Sequence, residues 1–356
     1  MDPCITSESG AIRGSGLAAS LGPARECSSQ RTIDKRKKMN QFKNVALAGG
    51  GSIGVAFALQ FARAGKNVRI FEQSPKRCAL IPGEIDARLK MLSAAGLLEG
   101  EPEVVAARIE VTPELQSAVA DCDLVVECVP EVLDIKRELF AQLERHVGPE
   151  VPLCSASSAL PASSFCSELA TRQRCLIAHP GNPPYLIPIV ELVPAPFTDA
   201  AVVQRCSAYF EQVGMSPIVV QREVEGFVFN RLQGALLREA YCLVRDGVAS
   251  VEDVDKVVRN GLGLRWSVIG PFETADLNTR GGIAAHARKL GPAYERMGKE
   301  RGQNDPWTDE LVANVVAQRR AMLPLDQWEA RVEWRDQQLM QLARMRKEHA
   351  ANDASS

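Results

Sequence analysis

Short apolar runs alternate with amphipathic stretches from about residue 41 to about residue 221. The runs are rich in Val, Ile, Leu and Ala, which is typical of buried strands, whereas the stretches between them carry helical spacing. Strands that alternate with helices predict an α/β fold with a Rossmann-type, doubly wound, mostly parallel sheet that helices cover on both faces. The predicted strands are Asn44–Ala48, Val68–Phe71, Ile109–Val111, Leu124–Val129, Val151–Ser155, Cys175–His179, Ile187–Val193 and Pro217–Val220.

The strand-like runs stop after about residue 221, and helical spacing continues to about residue 347. We therefore predict an α/β domain over residues 41–221, followed by a smaller all-α domain over residues 222–347. The cleft between two such domains is where a ligand is expected to bind. Residues 1–40 are rich in Ser and Gly and lack periodicity, so they predict a disordered tail, and residues 348–356 predict a flexible one.

Capping signals refine the predicted helices. Ser250 is predicted to begin a helix, with Asp253 at the capping-box position, and Gly261 is predicted to end it. In the first domain, the helical stretches with the clearest spacing are Ile53–Ala64, Glu84–Ala95 and Ile135–Arg145.

Composition narrows the function. The 356 residues carry a formal net charge of −2, which gives no argument for a nucleic-acid partner or an anionic membrane. No apolar run approaches the length of a membrane span. The ten cysteines form no C-x-x-C pair and no cluster with zinc spacing, so we expect no metal site. Scattered thiols favour the reducing cytoplasm as the compartment.

A glycine-rich motif follows the first predicted strand. Gly49, Gly51 and Gly54 fit G-x-G-x-x-G between a strand and a helix, and Glu72 ends the next strand at the expected spacing. Such glycines allow a tight turn, close approach of a pyrophosphate and helix–strand packing, while the acid binds the adenosine ribose. A structural glycine turn in another kind of α/β protein is the alternative. We expect a dinucleotide, with NAD preferred because Glu72 would repel the 2′-phosphate of NADP.

Four polar residues are candidates for chemistry beside that cofactor. His179 ends an apolar strand, and Glu191 lies within the next one, where a carboxylate is costly unless it is paired. An imidazole that a carboxylate orients can accept the proton of an alcohol while a nicotinamide accepts its hydride. Ser158 follows a strand and Asn230 begins the second domain. The alternatives are a structural histidine, a strand-end salt bridge, a helix cap and a helix-start hydrogen bond.

Taken together, these motifs resemble the 3-hydroxyacyl-CoA dehydrogenase superfamily, in particular its lambda-crystallin branch, which includes L-gulonate 3-dehydrogenase. The resemblance implies that Ser158, His179, Glu191 and Asn230 are catalytic and that Glu131 and Lys136 lie near the nicotinamide. The motifs that carry it, over residues 41–347, are Ala48-Gly49-Gly50-Gly51-Ser52-Ile53-Gly54, Asp123–Lys136, His179–Tyr185, Gly226–Leu232, Ile269–Thr274 and Trp334-Arg335-Asp336.

The sequence therefore predicts an NAD-dependent oxidoreductase that acts on the 3-hydroxyl of an L-3-hydroxyacyl-CoA or a 3-hydroxy acid. One alternative is a gulonate-type activity on a free sugar acid, and another is a non-catalytic, crystallin-like structural protein. The resemblance also implies a homodimer formed through the helical domain, which carries all four tryptophans of the chain, Trp266, Trp307, Trp328 and Trp334.

Overall fold

A computed structural model describes residues 42–267, 270–278 and 282–302, together with separate positions between 310 and 348. The predicted tail over residues 1–40, and that over residues 348–356 apart from Glu348, lie outside the described residues. Within the described part of the chain, no helix is long and apolar enough to cross a membrane.

One eight-stranded sheet organises the first part of the chain, with strand order β3-β2-β1-β4-β5-β6-β7-β8. Every neighbouring pair is parallel except β6 and β7, which are antiparallel. The chain order reverses between β1 and β4, the place where doubly wound sheets bind ligands. The strands are β1 Asn44–Ala48, β2 Asn67–Phe71, β3 Ile109–Thr112, β4 Leu124–Glu127, β5 Leu153–Ser155, β6 Cys175–Pro180, β7 Ile189–Pro194 and β8 Ser216–Val219.

Helices connect the strands and continue into the C-terminal part. Around the sheet these are α1 Ser52–Arg63, α2 Pro75–Ala94, α3 Pro102–Ala106, α4 Leu115–Val119, α5 Leu133–His146, α6 Ser163–Cys166 and α7 Ala200–Gln212, with a 3₁₀ turn at Arg172–Arg174. The later helices are α8 Phe229–Arg245, α9 Val251–Val257, a π-helical turn Val258–Leu262, α10 Gly263–Trp266, α11 Pro271–Leu277 and α12 Gly282–Arg301, with a 3₁₀ turn at Leu325–Gln327.

Both faces of the sheet are buried, which explains why its strands are continuous apolar runs. In β1, Val45 and Leu47 join the core cluster that contains Phe57 of α1 and Phe210 of α7. The alternate residues of β1 join a second cluster on the opposite face, which contains Phe140 of α5. The fold is thus the predicted helix–sheet–helix arrangement, and the carboxyl ends of β1, β4, β5 and β6 meet at one edge.

Two predicted helix boundaries are wrong. Helix α2 begins at Pro75 rather than near residue 84, because the Ser74 hydroxyl accepts the N–H of Arg77 at 3.3 Å and the helix tolerates Pro82 inside it. Gly261 does not end a helix, since the chain stays helical through the π turn to Trp266. The predicted cap at Ser250 is confirmed, because its hydroxyl accepts the N–H of Asp253 at 3.1 Å.

The end of the chain returns to the first domain. Met340 is buried in a cluster with Leu92, Leu97 and Leu186. Further on, the ammonium of Lys347 lies 3.0 Å from the carboxylate of Glu99. The C-terminal segment therefore covers the apolar surface at the end of α2. The domain boundary near residue 221 stays a prediction.

Candidate active site

The glycine loop after β1 is shaped by its own backbone. Gly49 has a φ of 121°, and a Cβ atom on it would lie 2.7 Å from the carbonyl group of Cys128. A Cβ atom on Gly54 would lie 2.0 Å from the carbonyl oxygen of Gly49. Both positions therefore require glycine for close packing of the loop on itself and on the end of β4.

Gly51 has a different surrounding, because a Cβ atom on it would meet no atom of the protein within 4 Å. It immediately precedes α1, whose first residues are Ser52 and Ile53. The N–H groups in the first turn of a helix have no partner within that helix, and the helix dipole favours an anion there. This turn therefore fits a pyrophosphate that approaches the bare backbone at Gly51.

Glu72 follows β2 and is hydrogen-bonded to the same loop. One carboxylate oxygen accepts the N–H of Gly50 at 3.0 Å, and the other accepts the N–H of Ser74 at 2.9 Å. The side chain is half-buried at the edge of the sheet. A carboxylate in this position can accept hydrogen bonds from the hydroxyls of an adenosine ribose. The loop, the helix start and this acid together have the chemistry that an NAD site needs.

His179 and Glu191 lie directly opposite each other in the antiparallel pair β6–β7. The His179 Nδ1 lies 2.7 Å from the Glu191 Oε2, so the predicted contact between the two side chains is confirmed. Both residues are buried. A hydrogen on Nδ1 that is donated to the carboxylate leaves Nε2 as the acceptor, which is the tautomer that a general base requires.

The other oxygen of Glu191 connects the sheet to the helical part. It accepts the backbone N–H groups of Val228 at 2.7 Å and Phe229 at 2.9 Å, where α8 begins. Burial alone would raise the pKa of Glu191, but the hydrogen bonds from His179 and from these two N–H groups outweigh burial and lower it. The carboxylate is therefore charged at neutral pH and can stabilise an imidazolium.

Two aromatic rings, which the sequence reasoning missed, enclose the imidazole. The centroids of Phe227 and Phe229 lie 5.7 Å and 6.3 Å from that of His179. Phe227 is fully buried and has a φ of 49°, a conformation that is uncommon for a residue with a side chain. The signal in the sequence was the pair of phenylalanines just before Asn230. Their rings keep water away from one side of the candidate base.

A hydrogen bond joins Ser158, in the turn after β5, to Asn230 in α8. The side-chain amide of Asn230, in the first turn of α8, donates to the backbone carbonyl of Ser158 at 3.1 Å. Ser158 is exposed and follows β5, whereas Asn230 is half-buried. The helix-start hydrogen bond considered for Asn230 is thus present. It also holds the two residues next to each other at the edge of the sheet where β6, the strand of His179, ends.

The match to known families decides what this arrangement is. Residues 44–224 match the model of the 3-hydroxyacyl-CoA dehydrogenase NAD binding domain, and residues 226–322 match that of the 3-hydroxyacyl-CoA dehydrogenase C-terminal domain. The chain belongs to the 3-hydroxyacyl-CoA dehydrogenase family. Its first domain is an NAD-binding domain, so the glycine loop and Glu72 are the residues that would hold this cofactor.

Individual relatives agree with the predicted branch. The chain is 40% identical to the lambda-crystallin homolog of Bos taurus over 306 residues, which are 85% of this chain and 95% of that protein. It is 38% identical to an L-carnitine dehydrogenase of Streptomyces coelicolor over 267 residues, 75% of this chain and 80% of that protein. The structure of an NAD+-dependent dismutase, 5-formyl-3-hydroxy-2-methylpyridine 4-carboxylic acid 5-dehydrogenase, has a TM-score of 0.74 at 25% identity, and covers 86% of this chain and 98% of that one.

A buried ion pair lies next to the candidate active site. The ammonium of Lys136 lies 2.9 Å from both oxygens of Glu127, and both side chains are almost completely buried. Glu127 also accepts the hydroxyl of Ser155 and, at 2.8 Å, the N–H of Val129. The sequence signal that was missed is an acid at the end of an apolar strand with a lysine nine residues later. The pair joins β4, β5 and α5.

Glu131 extends this network to the turn that carries Ser158. One of its oxygens accepts the N–H groups of Ala159 at 3.1 Å and Leu160 at 2.9 Å, together with the hydroxyl of Ser157. The other oxygen lies 3.7 Å from the ammonium of Lys136. Lys136 is buried, whereas the Glu131 side chain beside it is half-exposed, and the place of both residues near the nicotinamide stays a prediction.

Proposed function

We propose that the protein oxidises the 3-hydroxyl of an L-3-hydroxyacyl-CoA or a 3-hydroxy acid, with NAD as the hydride acceptor. The observation that carries this proposal is the buried His179–Glu191 pair, with a bond of 2.7 Å, in a chain whose first domain binds NAD. The pair lies at the same edge of the sheet as the glycine loop, because His179 is near the carboxyl end of β6 and Glu191 is near the amino end of the antiparallel strand β7.

Each residue of the proposed site has a defined task. Bound NAD supplies the hydride acceptor. The Nε2 atom of His179 accepts the proton of the substrate hydroxyl, and Glu191 stabilises the imidazolium that forms. The Ser158 hydroxyl and the Asn230 amide hold the reacting oxygen. Glu131 keeps the turn around Ser158 in place, and the ammonium of Lys136 pairs with the carboxylate of Glu131.

A free 3-hydroxy acid is the second candidate substrate. The 38% identity to an L-carnitine dehydrogenase favours it, because carnitine is itself a free 3-hydroxy acid. The sugar acid of the gulonate-type alternative belongs to the same class of substrate. The crystallin-like alternative is disfavoured, since a bulk structural role has no need for a buried histidine that a carboxylate orients.

The formation of NADH across a panel of substrates tests the proposal. The panel contains 3-hydroxyacyl-CoA esters, free 3-hydroxybutyrate, L-carnitine and L-gulonate, each offered with NAD. We expect measurable turnover with at least one of the 3-hydroxy compounds, and the preferred member identifies the substrate class. A protein that binds NADH tightly but turns over none of them would contradict the enzymatic proposal and favour the structural one.

We further propose that the protein is a cytoplasmic homodimer that assembles through its helical part. The free thiols of Cys78, Cys154 and Cys206 support a reducing compartment. Leu232, Leu264, Phe272 and Val257 support the dimer, because each exposes more than three fifths of its surface. Trp266 and Trp334 are also exposed, whereas Trp307 and Trp328 lie outside the described residues.

A further inference from the structure

An arginine of α2 is hydrogen-bonded to the glycine loop. Arg77 lies in the first turn of α2, and its Nε donates to the carbonyl oxygen of Gly50 at 2.8 Å. The N–H of the same glycine donates to Glu72 at 3.0 Å. Arg77 and Glu72 therefore hold the two sides of one loop residue, at the corner where the adenosine ribose of NAD is expected.

The guanidinium of Arg77 is already engaged. Glu84, two turns further along α2, accepts from both terminal nitrogens of Arg77, and the bond from Nη2 to Oε2 measures 2.8 Å. This hydrogen bond raises the pKa of Arg77 and lowers the pKa of Glu84. A bidentate arginine–carboxylate pair has fixed geometry and is among the stronger polar contacts in proteins. The positive charge of Arg77, next to the expected position of the adenosine ribose, is thus both neutralised and held in place.

This arrangement bears on the choice between NAD and NADP. The two cofactors differ by a phosphate on the 2′-hydroxyl of the adenosine ribose. Sites that accept NADP use an arginine near the end of β2 to bind that phosphate. Arg77 is an arginine in this position, close to the Glu72 that favours NAD. In the structure, the carboxylate of Glu84 accepts an N–H from each terminal nitrogen of Arg77 and neutralises the charge that a phosphate would need.

We propose that Glu84 is a specificity-determining residue, which keeps Arg77 on the glycine loop and so prevents it from binding the 2′-phosphate of NADP. Glu72 excludes the 2′-phosphate by direct repulsion. Glu84 excludes it by its ion pair with the guanidinium of Arg77. The proposal rests on NAD binding by the first domain and is independent of the substrate.

Titrations of NADH and NADPH binding test it, with the fluorescence of the reduced nicotinamide as the signal and no substrate present. In the Glu84→Gln variant, we expect the affinity for NADPH relative to NADH to rise about tenfold, as one charged hydrogen bond to the phosphate would provide. Glu84→Ala, which removes both acceptor oxygens, should raise the ratio at least as far. Asp86→Asn is the matched control, because it removes the same charge from α2 at an exposed pair with Lys90.

A second substitution isolates the role of Arg77. Arg77→Gln in the wild-type background should weaken the binding of NADH and of NADPH to a similar extent. In the Glu84→Gln background, the same substitution should abolish the rise in affinity for NADPH. The proposal is overturned if Glu84→Gln and Glu84→Ala leave the ratio within twofold of wild type, or if Asp86→Asn raises it equally. Because only binding is measured, a failure here is distinct from a failure of the proposed oxidation.

Discussion

Glu191 links the histidine proposed as the base to the start of helix α8. One oxygen binds the imidazole of His179, while the other caps two N–H groups at the start of α8. Three hydrogen-bonding groups, one on β6 and two at the start of α8, thus depend on one buried carboxylate on β7. Its loss would disturb both the tautomer of the histidine and the position of the helix that carries Asn230.

Replacement of His179 by alanine should separate chemistry from cofactor binding. We expect kcat to fall about 10²–10⁴-fold, since the proposed general base is removed. The affinity for NADH should change little, because the glycine loop and Glu72 do not contact this ring. Steady-state kinetics and NADH titration measure the two effects. Turnover close to wild type would show that His179 is structural.

The Glu191→Gln variant should lose both activity and acid-sensitive stability. Its amide can donate to Nδ1 of His179, which selects the wrong tautomer, so we expect kcat to fall about 10²–10⁴-fold. Because the pKa of Glu191 is lower in the folded state, the unfolded chain takes up more protons as the pH falls. The stability from this carboxylate is therefore complete above about pH 4.3 and is lost below it.

Urea unfolding of the wild type and of Glu191→Gln between pH 7 and pH 3 tests this linkage. The difference in the free energy of unfolding should be largest near neutral pH and should shrink as the pH falls. A difference that stays constant over the whole range would contradict the lowered pKa.

At the scale of elements, the glycine loop contains one glycine that folding requires, Gly54, and one that we expect ligand binding to require, Gly51. Gly54→Ala should destabilise the protein, because the new Cβ atom would lie 2.0 Å from the Gly49 carbonyl oxygen. Gly51→Ala should fold normally, since nothing in the protein lies within 4 Å of its Cβ position. It should nevertheless weaken NADH binding about tenfold or more by keeping the pyrophosphate from the backbone. Thermal unfolding and NADH titration distinguish the two, and equal losses of stability would refute the distinction.

The strands were predictable because a sheet that is buried on both faces imposes apolar runs. The predicted β1 agrees at both ends, and the remaining strands agree within a few residues. The start of α2 was missed, because Pro82 and Gly83 look like helix breakers in sequence, although the helix begins at Pro75 under the cap of Ser74. Local rules favour a break there, and packing of Ile81 and Ile85 in the core overrides them.

The candidate site was predictable where one residue type stands out in its surroundings. His179 and Glu191 are polar residues within apolar strands, and the antiparallel register places them opposite each other. Glu127 was missed although it is equally buried, because its partner Lys136 lies on a helix and only the tertiary structure brings them together. The contact of Arg77 on α2 with Gly50 in the glycine loop likewise depends on geometry that local patterns do not contain.

At the scale of the whole molecule, the exposed apolar residues of the helical part predict assembly. Light scattering at micromolar concentration should give the mass of a dimer. Leu264→Asp should shift the protein toward the monomer, because a charge would be buried at the interface. Leu80→Asp is a control, since Leu80 is an exposed leucine on α2 of the first domain. A wild-type monomer at this concentration would contradict the proposed dimer.

The return of the C-terminal segment to α2 has a consequence for biosynthesis. Met340 fills the apolar surface between Leu92, Leu97 and Leu186. These three side chains are made before Met340, so they lack their cover until that residue has left the ribosome. The packing of the first domain therefore waits for the C-terminal segment, and a chain that stops before Met340 leaves this surface open to chaperones and proteases.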